Sequence, residues 1–204
     1  MQALPVTLTG DLVVLEPLAA EHHDELVAAA SDGRLWEQWN TLVPAPDQMA
    51  ADIDRRLSLQ DAGSMVPFVI RNADGRLIGA TTFMNVDASV PRVEIGSTWQ
   101  SRSAQRTGTN TEAKLLMLAH AFDDWGCVRV EFRTHSLNAT SRRAIERIGG
   151  QFEGLLRQHM RLPNGLLRDT AQYAILDREW PSVRVHLRSL LDGHAASASE
   201  TANP

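Results

Sequence analysis

The sequence predicts an α/β (α+β) domain: a mixed, mostly antiparallel twisted sheet flanked by helices. Three observations carry this prediction. Met65 to Arg71, Arg76 to Asn85 and Pro91 to Trp99 read as consecutive strands of a meander. The first two flank Asn72-Ala73-Asp74-Gly75, a hairpin signal because Asp-Gly tolerates positive φ. Gln105 to Trp125 joins a polar, glycine-containing turn to a stretch of helical period, with Leu115, Leu118, Ala119 and Phe122 on one face. A second hairpin signal, Pro163-Asn164-Gly165, separates the apolar stretches Phe152 to Leu162 and Leu166 to Leu176.

Taken in order, Leu12 to Leu15 fits a first strand and Ala19 to Ala30 a helix burying Leu26, Val27 and Ala30. Trp36 and Trp39 stand three residues apart, so on a helical turn they project to the same side. On the residues alone they read as core side chains that anchor a short helix. Pro46 opens a helix over Asp47 to Leu59, with Met49, Ile53 and Leu57 at helical spacing. Along the third strand of the meander, Val93 and Ile95 point one way, Glu94 and Gly96 the other. Gly126 ends the central helix, and Val128 to Thr134 alternates as a strand. Asn138 caps a helix that buries Ala144, Ile145 and Ile148 and stops at Gly149. Asp177 caps a last helix to about Leu191. Residues 1–191 then make one domain, and the small, polar tail 192–204 is expected to be disordered.

A chain of 204 residues suffices for one real hydrophobic core. Its net charge of -5 argues against a non-specific nucleic-acid binder, which needs a basic surface. The single cysteine, Cys127, excludes an internal disulfide and suits a reducing compartment. No apolar run is long enough to span a bilayer and no export signal is evident, so a cytoplasmic protein with no membrane or nucleic-acid partner is expected. His22 and His23 are neighbours that diverge on a helix, and no metal site is expected.

Strand, polar turn and helix together offer unpaired backbone N–H groups and the positive end of a helix dipole to a phosphate. Gln105-Arg106-Thr107-Gly108-Thr109-Asn110 is built this way, with Thr98 and Trp99 on the strand leading in and Arg106 adding a charge. The alternative is an ordinary turn capped by Thr109 or Thr111. The hexapeptide resembles the acyl-CoA signature Q/R-x-x-G-x-G/A of GNAT N-acetyltransferases. With VEIGSTW before it and NTEAKLLMLAHAF and VRVEFRTHSLNATSRRAIERIG after it, the chain resembles the RimJ/RimL-like branch over about Leu8 to Leu190. Asn110 departs from the signature, where Gly or Ala is usual.

The resemblance implies a GNAT fold with splayed central strands, acetyl-CoA as acetyl donor, and direct attack by a primary amine of a peptide N-terminus or small molecule. A homodimer is the family-level expectation. The attacking ammonium must lose a proton, and Glu94, on the strand entering the site, is the candidate base; a structural ion pair is its other reading. His135, just past the strand Val128 to Thr134, is the rival base. The resemblance puts Asn138 on the pantetheine arm and Ser141 near the sulfur, within Asn138-Ala139-Thr140-Ser141, and it gives Trp36 and Trp39 a second reading, as walls of an acceptor pocket, because that region borders the substrate side in GNAT proteins. It also leaves Ile145 where many relatives carry a tyrosine acid. Arg142, Arg143 and Arg147 read as a solvated basic face, of which one, if near the cofactor, could meet a phosphate of the coenzyme. Arg157, Arg161 and Arg168 are compatible with an acidic acceptor or with the 3′-phosphate of the coenzyme. Missing phenol and altered signature keep a non-catalytic acyl-CoA-binding module as the competing function. A Rossmann nucleotide binder is disfavoured because no G-x-G-x-x-G follows a strand.

Overall fold

A computed structural model of the chain describes residues 3–162 and 164–201. Among them one sheet contains β1 (Leu8–Thr9), β2 (Val13–Pro17), β3 (Met65–Asn72), β4 (Leu77–Asp87), β5 (Arg92–Gln100), β6 (Arg129–His135), β7 (Gln151–Arg161) and β8 (Leu167–Leu176). The strand order is β1-β2-β3-β4-β5-β6-β8-β7. The helices are α1 (His23–Ser31), α2 (Met49–Asp61), α3 (Thr109–Ala119), α4 (Ala139–Arg147) and α5 (Trp180–Thr201).

Every neighbouring pair is antiparallel except β5 and β6, which run parallel and pair only at Arg92↔Arg129, Val93↔Val130 and Glu94↔Glu131. Beyond that point each strand keeps its other neighbour. β5 stays with β4 to Gly79↔Gln100, across a register shift near Ser97, whose φ is 49°. β6 stays with β8 to His135↔Thr170. The sheet therefore opens between Glu94 and Glu131 on one side and the ends of both strands on the other.

Alternation sorts the two faces. Val93, Ile95, Val130, Phe132 and Tyr173 pack with Met117 and Leu118 of α3, Ile145 and Ile148 of α4 and Leu187 of α5. On the opposite face, Val69, Ala80 and Trp99 pack with Leu26 and Ala30 of α1 and Met49 and Ile53 of α2. The bulge at Ser97 adds one residue and so turns Trp99 to the α1/α2 side. α1 and α2 cover only the first strands of this second face, leaving Glu94, Glu131, Arg133 and Gln172 as a polar floor beside them.

Three expectations are corrected. The last helix does not stop near Leu191: α5 continues to Thr201, because Ala195, Ala196 and Ala198 are strong helix formers with no breaker among them. Residues 202–204 lie outside the described residues. Asp177 does not cap α5, which begins at Trp180; its carboxylate accepts the Arg178 N–H at 2.7 Å. Trp36 and Trp39 do not share a side, since the helical turn is only Leu35–Glu37 and Trp39 lies past it. Pro163 of the second hairpin signal also lies outside the described residues, while Asn164 Oδ1 accepts the Leu166 N–H at 3.1 Å.

Candidate active site

The loop between β5 and α3 curls because both Arg106 (φ 66°) and Gly108 (φ 88°) are left-handed. A Cβ on Gly108 would also stand a tight 3.1 Å from Leu12, so both the left-handed φ and the space favour glycine there. Gly108 occupies the N-cap position of α3, and no side chain caps the helix there. Thr109 does not cap it: its hydroxyl turns back to Ala104 O at 3.2 Å and Gln100 Oε1 at 3.1 Å. Nor does Thr111, whose Oγ1 accepts a hydrogen bond from Arg147 at 2.8 Å. Thr107 donates to Ala104 O at 2.6 Å and Gln105 to Gln100 O at 3.2 Å, so side chains hold the loop from behind. Asn110 is half-buried in the first turn. A helix start with uncapped amides, beside the cations Arg106 and Arg147, fits a diphosphate.

Glu94 sits on the opposite face from α3, as its alternation requires, and is 6 % exposed. Its Oε2 accepts from Asn85 Nδ2 at 2.7 Å and pairs with the Arg133 guanidinium at 3.3 Å. Oε1 lies over Gly96, where a Cβ would stand 3.3 Å from it and 2.7 Å from Met84 Sδ. Burial pushes the Glu94 carboxyl up, against the pull of Arg133 and Asn85. Both the functional and the structural reading of Glu94 thus have a counterpart in the geometry: one oxygen is engaged, and the other faces the small Gly96.

His135 is buried, and its Nδ1 accepts the Leu137 N–H at 3.1 Å. That bond assigns the proton to Nε2, and burial followed by Arg168 lowers the imidazole's affinity for a second one. In this arrangement the Nδ1 lone pair is taken up by Leu137, and Nε2 carries the one proton of the ring. Trp39, 53 % exposed, meets it edge-on at 5.1 Å between ring centroids. Trp36 instead packs on the α1/α2 core. The structure therefore joins Trp39 and His135 to the face of Glu94 and leaves Trp36 apart.

On α4, Asn138 Oδ1 accepts the Ser141 N–H at 3.0 Å, the cap expected of it. Both residues are half-buried. Tyr173, the only tyrosine in the chain, is buried in the core between Arg142 (2.8 Å) and Glu146 (2.9 Å). Arg142 is consequently a tie from α4 to β8, which corrects its reading as part of a solvated face. Cys127 packs in the core, and burial pushes its thiol up to about 11.

Of the buried charged residues that the sequence reading did not single out, two lie on α3. Lys114 of α3 lies under the β5 bulge, with Nζ 2.7 Å from Thr98 Oγ1 and 3.2 Å from Thr81 Oγ1. Glu112 accepts the backbone N–H groups of Asp11, Leu12 and Val13 at 3.0, 2.6 and 2.7 Å. Each sits in a helix whose pattern gave charged residues no buried face. Among the described residues no cluster of His, Cys, Asp or Glu could hold a metal ion, and no helix is long and apolar enough to cross a membrane.

Known proteins share this architecture. A Bacillus subtilis (strain 168) protein named as a candidate ribosomal N-acetyltransferase is 33% identical over 107 residues, 52% of this chain and 57% of that protein. The match thus spans little more than half of that relative's length. The crystal structure of a GCN5-related N-acetyltransferase from Brucella melitensis superposes with a TM-score of 0.82 at 32% identity, covering 93% of this chain and 86% of that one. Mycobacterium smegmatis RimJ, in complex with CoA-disulfide, gives a TM-score of 0.77 at 26% identity, covering 91% of this chain and 95% of that one. Residues 13–151 match the acetyltransferase (GNAT) domain, from the second strand through both the loop before α3 and the helix of Asn138 and Ser141, and the chain belongs to that family.

Proposed function

We propose that this chain acetylates a primary amine, on a peptide N-terminus or a small molecule, by direct attack of the amine on acetyl-CoA in a ternary complex. The reaction class follows from membership: GNAT acetyltransferases transfer the acetyl group of acetyl-CoA. The observation that carries the rest is the end of the β5–β6 ladder at Glu94↔Glu131, which opens the sheet between the curled loop and the Glu94 carboxylate. In this reading Gln105, Arg106, Thr107, Gly108, Thr109 and Asn110 take the diphosphate, with Thr98 and Trp99 behind them. Asn138 and Ser141 meet the thiol arm. Acetyl-CoA supplies the activated acyl group, and holding it against the amine provides much of the acceleration.

Glu94 takes the amine's proton, directly or through one water, and its buried setting keeps its affinity for that proton above an ordinary carboxylate's. His135 donates a hydrogen bond to the acceptor and Trp39 lines its apolar part. No phenol stands ready for the leaving thiolate, which departs with the help of Ser141 or of solvent. A cytoplasmic setting belongs to the same proposal.

The test is thiol release from acetyl-CoA with a panel of primary amines and peptides, for the wild type and Glu94→Gln. Turnover with at least one amine is expected, with kcat reduced about 100-fold or more in the variant and the KM for acetyl-CoA unchanged. Because the base must be deprotonated to act, wild-type kcat/KM should rise with pH along an acid limb set by Glu94. Turnover by Glu94→Gln within a few-fold of wild type would remove Glu94 as base. Tight coenzyme binding with no turnover on any amine would make the chain an acyl-CoA-binding module.

A further inference from the structure

Three guanidinium groups rise from the β6–β8 floor of the site, and two of them are engaged. Arg129 holds Glu131 at 2.8 Å and Glu153. Arg133 holds Glu94 at 3.3 Å, Glu131 at 3.0 Å and Gln172 at 2.6 Å. The Arg168 side chain of β8 has no hydrogen bond and no ion pair within 4.0 Å among the described residues. It is nevertheless half-buried, and its Nε is shut off from solvent without a partner. That nitrogen forfeits hydration without compensation, while neither terminal nitrogen of the guanidinium is among the buried unpartnered atoms. On β8 Arg168 shares a strand face with Thr170 and Gln172, the partners of His135 and Arg133, and its charge acts on Glu94, so it faces the proposed acceptor site. That face is opposite the one on which α3 packs, and the cations beside the start of α3 are Arg106 and Arg147, the latter bonded to Thr111. An anion for Arg168 is therefore the acceptor's and not the coenzyme's phosphate.

We infer that Arg168 forms a carboxylate-binding subsite, and that the acceptor is an amine bearing a carboxylate. The inference rests on the proposed use of Glu94 as the base for that amine. Arg168 presents a planar fork suited to two parallel hydrogen bonds with a carboxylate. His135 pairs with Thr170, two residues along β8 from Arg168, and its Nε2–H supplies a neutral donor to the same group. Trp39 stands over His135 and covers the carbon skeleton between amine and acid. Glu94 needs no help from Arg168 for its own charge, since Arg133 and Asn85 already hold it.

The carboxylate could be a small amine's own or an acidic side chain near a peptide N-terminus, and matched pairs separate the two. Phenylalanine is compared with phenylalaninamide, and Ser-Asp-Ala-Ala-amide with Ser-Asn-Ala-Ala-amide. The quantity read is the ratio of kcat/KM for acid over amide in wild type divided by the same ratio in Arg168→Gln, which cancels the amines' own basicities. For at least one pair this quotient should be about 10 or more, carried by KM, with Arg168→Lys partway between. The pair that responds names the source. A quotient near 1 for both pairs, with both substrates of each pair slowed alike, would show that Arg168 acts only on the fold or on Glu94, and would overturn the subsite. Calorimetric binding of the same pairs to the CoA-loaded protein gives a readout that needs no turnover. An acid preference that disappears in Arg168→Gln while wild type acetylates nothing would uphold the subsite and reject the catalytic reading. No preference by calorimetry, in a wild type that does turn over amines, would reject the subsite alone.

Discussion

Lys114 has two threonine hydroxyls as partners and no carboxylate among the described residues, so burial alone acts on its charge and pulls it down to about 7. In the unfolded chain an ordinary lysine keeps its proton to about pH 10.4. Above pH 7 the unfolded state therefore binds a proton that the native state has shed, and folding stability rises with pH. The slope is at most about 1.4 kcal/mol per pH unit. Cys127 works the other way at higher pH, because a thiol held to about 11 keeps its proton after the unfolded thiol has lost it. The clean window is thus about pH 7 to 8.5, below the ordinary thiol range. Denaturant midpoints taken across that window should climb for wild type and stay level for Lys114→Met; equal slopes in the two proteins would mean that the lysine is charged where it lies. Lys114 could not be singled out from the sequence, and Arg168 only as one of three arginines on the late hairpin, because each owes its state to what it lacks in three dimensions. Glu94 could, since strand alternation alone turned it away from Val93 and Ile95.

At the scale of elements, α3 joins the two ends of the molecule that the site depends on. Its first turn carries the uncapped amides, and one residue further on Glu112 gathers the N–H groups of Asp11, Leu12 and Val13 between β1 and β2. Without the carboxylate, three backbone donors at the edge of the core lose their acceptor, and a buried unsatisfied donor costs roughly 1–3 kcal/mol. Water reaches the exposed end of this loop, so Glu112→Ala should destabilise by about 2–4 kcal/mol in chemical denaturation. A loss under about 0.5 kcal/mol, the range of neutral surface changes, would show that the loop finds other acceptors. The helix was legible from its period and the loop before it from its composition. Its anchoring was not, because Glu112 meets residues about a hundred positions away. The tryptophan pair misled for a related reason: three-residue spacing implies a shared side only while the helix lasts, and the turn ends at Glu37.

For the molecule as a whole, local signals were enough to give the antiparallel meander and the β7–β8 hairpin, because each turn announces itself in a few residues. The parting of β5 and β6 has no such signal; it is set by each strand keeping a different partner, and was expected only through resemblance. The end of the chain shows the same division. Small residues after Leu191 read as a tail, yet α5 carries on past α3 and brings His194 to Gly108, with its ring 3.6 Å from where a Cβ would stand. The last turns of α5 therefore brace the loop that is proposed to take the diphosphate, from the side away from the ligand. Ending the chain at Leu191 removes that brace while leaving Glu94, His135 and Arg168 in place. Loss of one partly buried side chain is worth roughly 1 kcal/mol, about a fivefold rise in the KM for acetyl-CoA, with a smaller change in kcat. If the residues beyond Leu191 were instead a passive tail, KM and thermal midpoint would both match the full chain, and His194→Ala in the full chain would be equally silent.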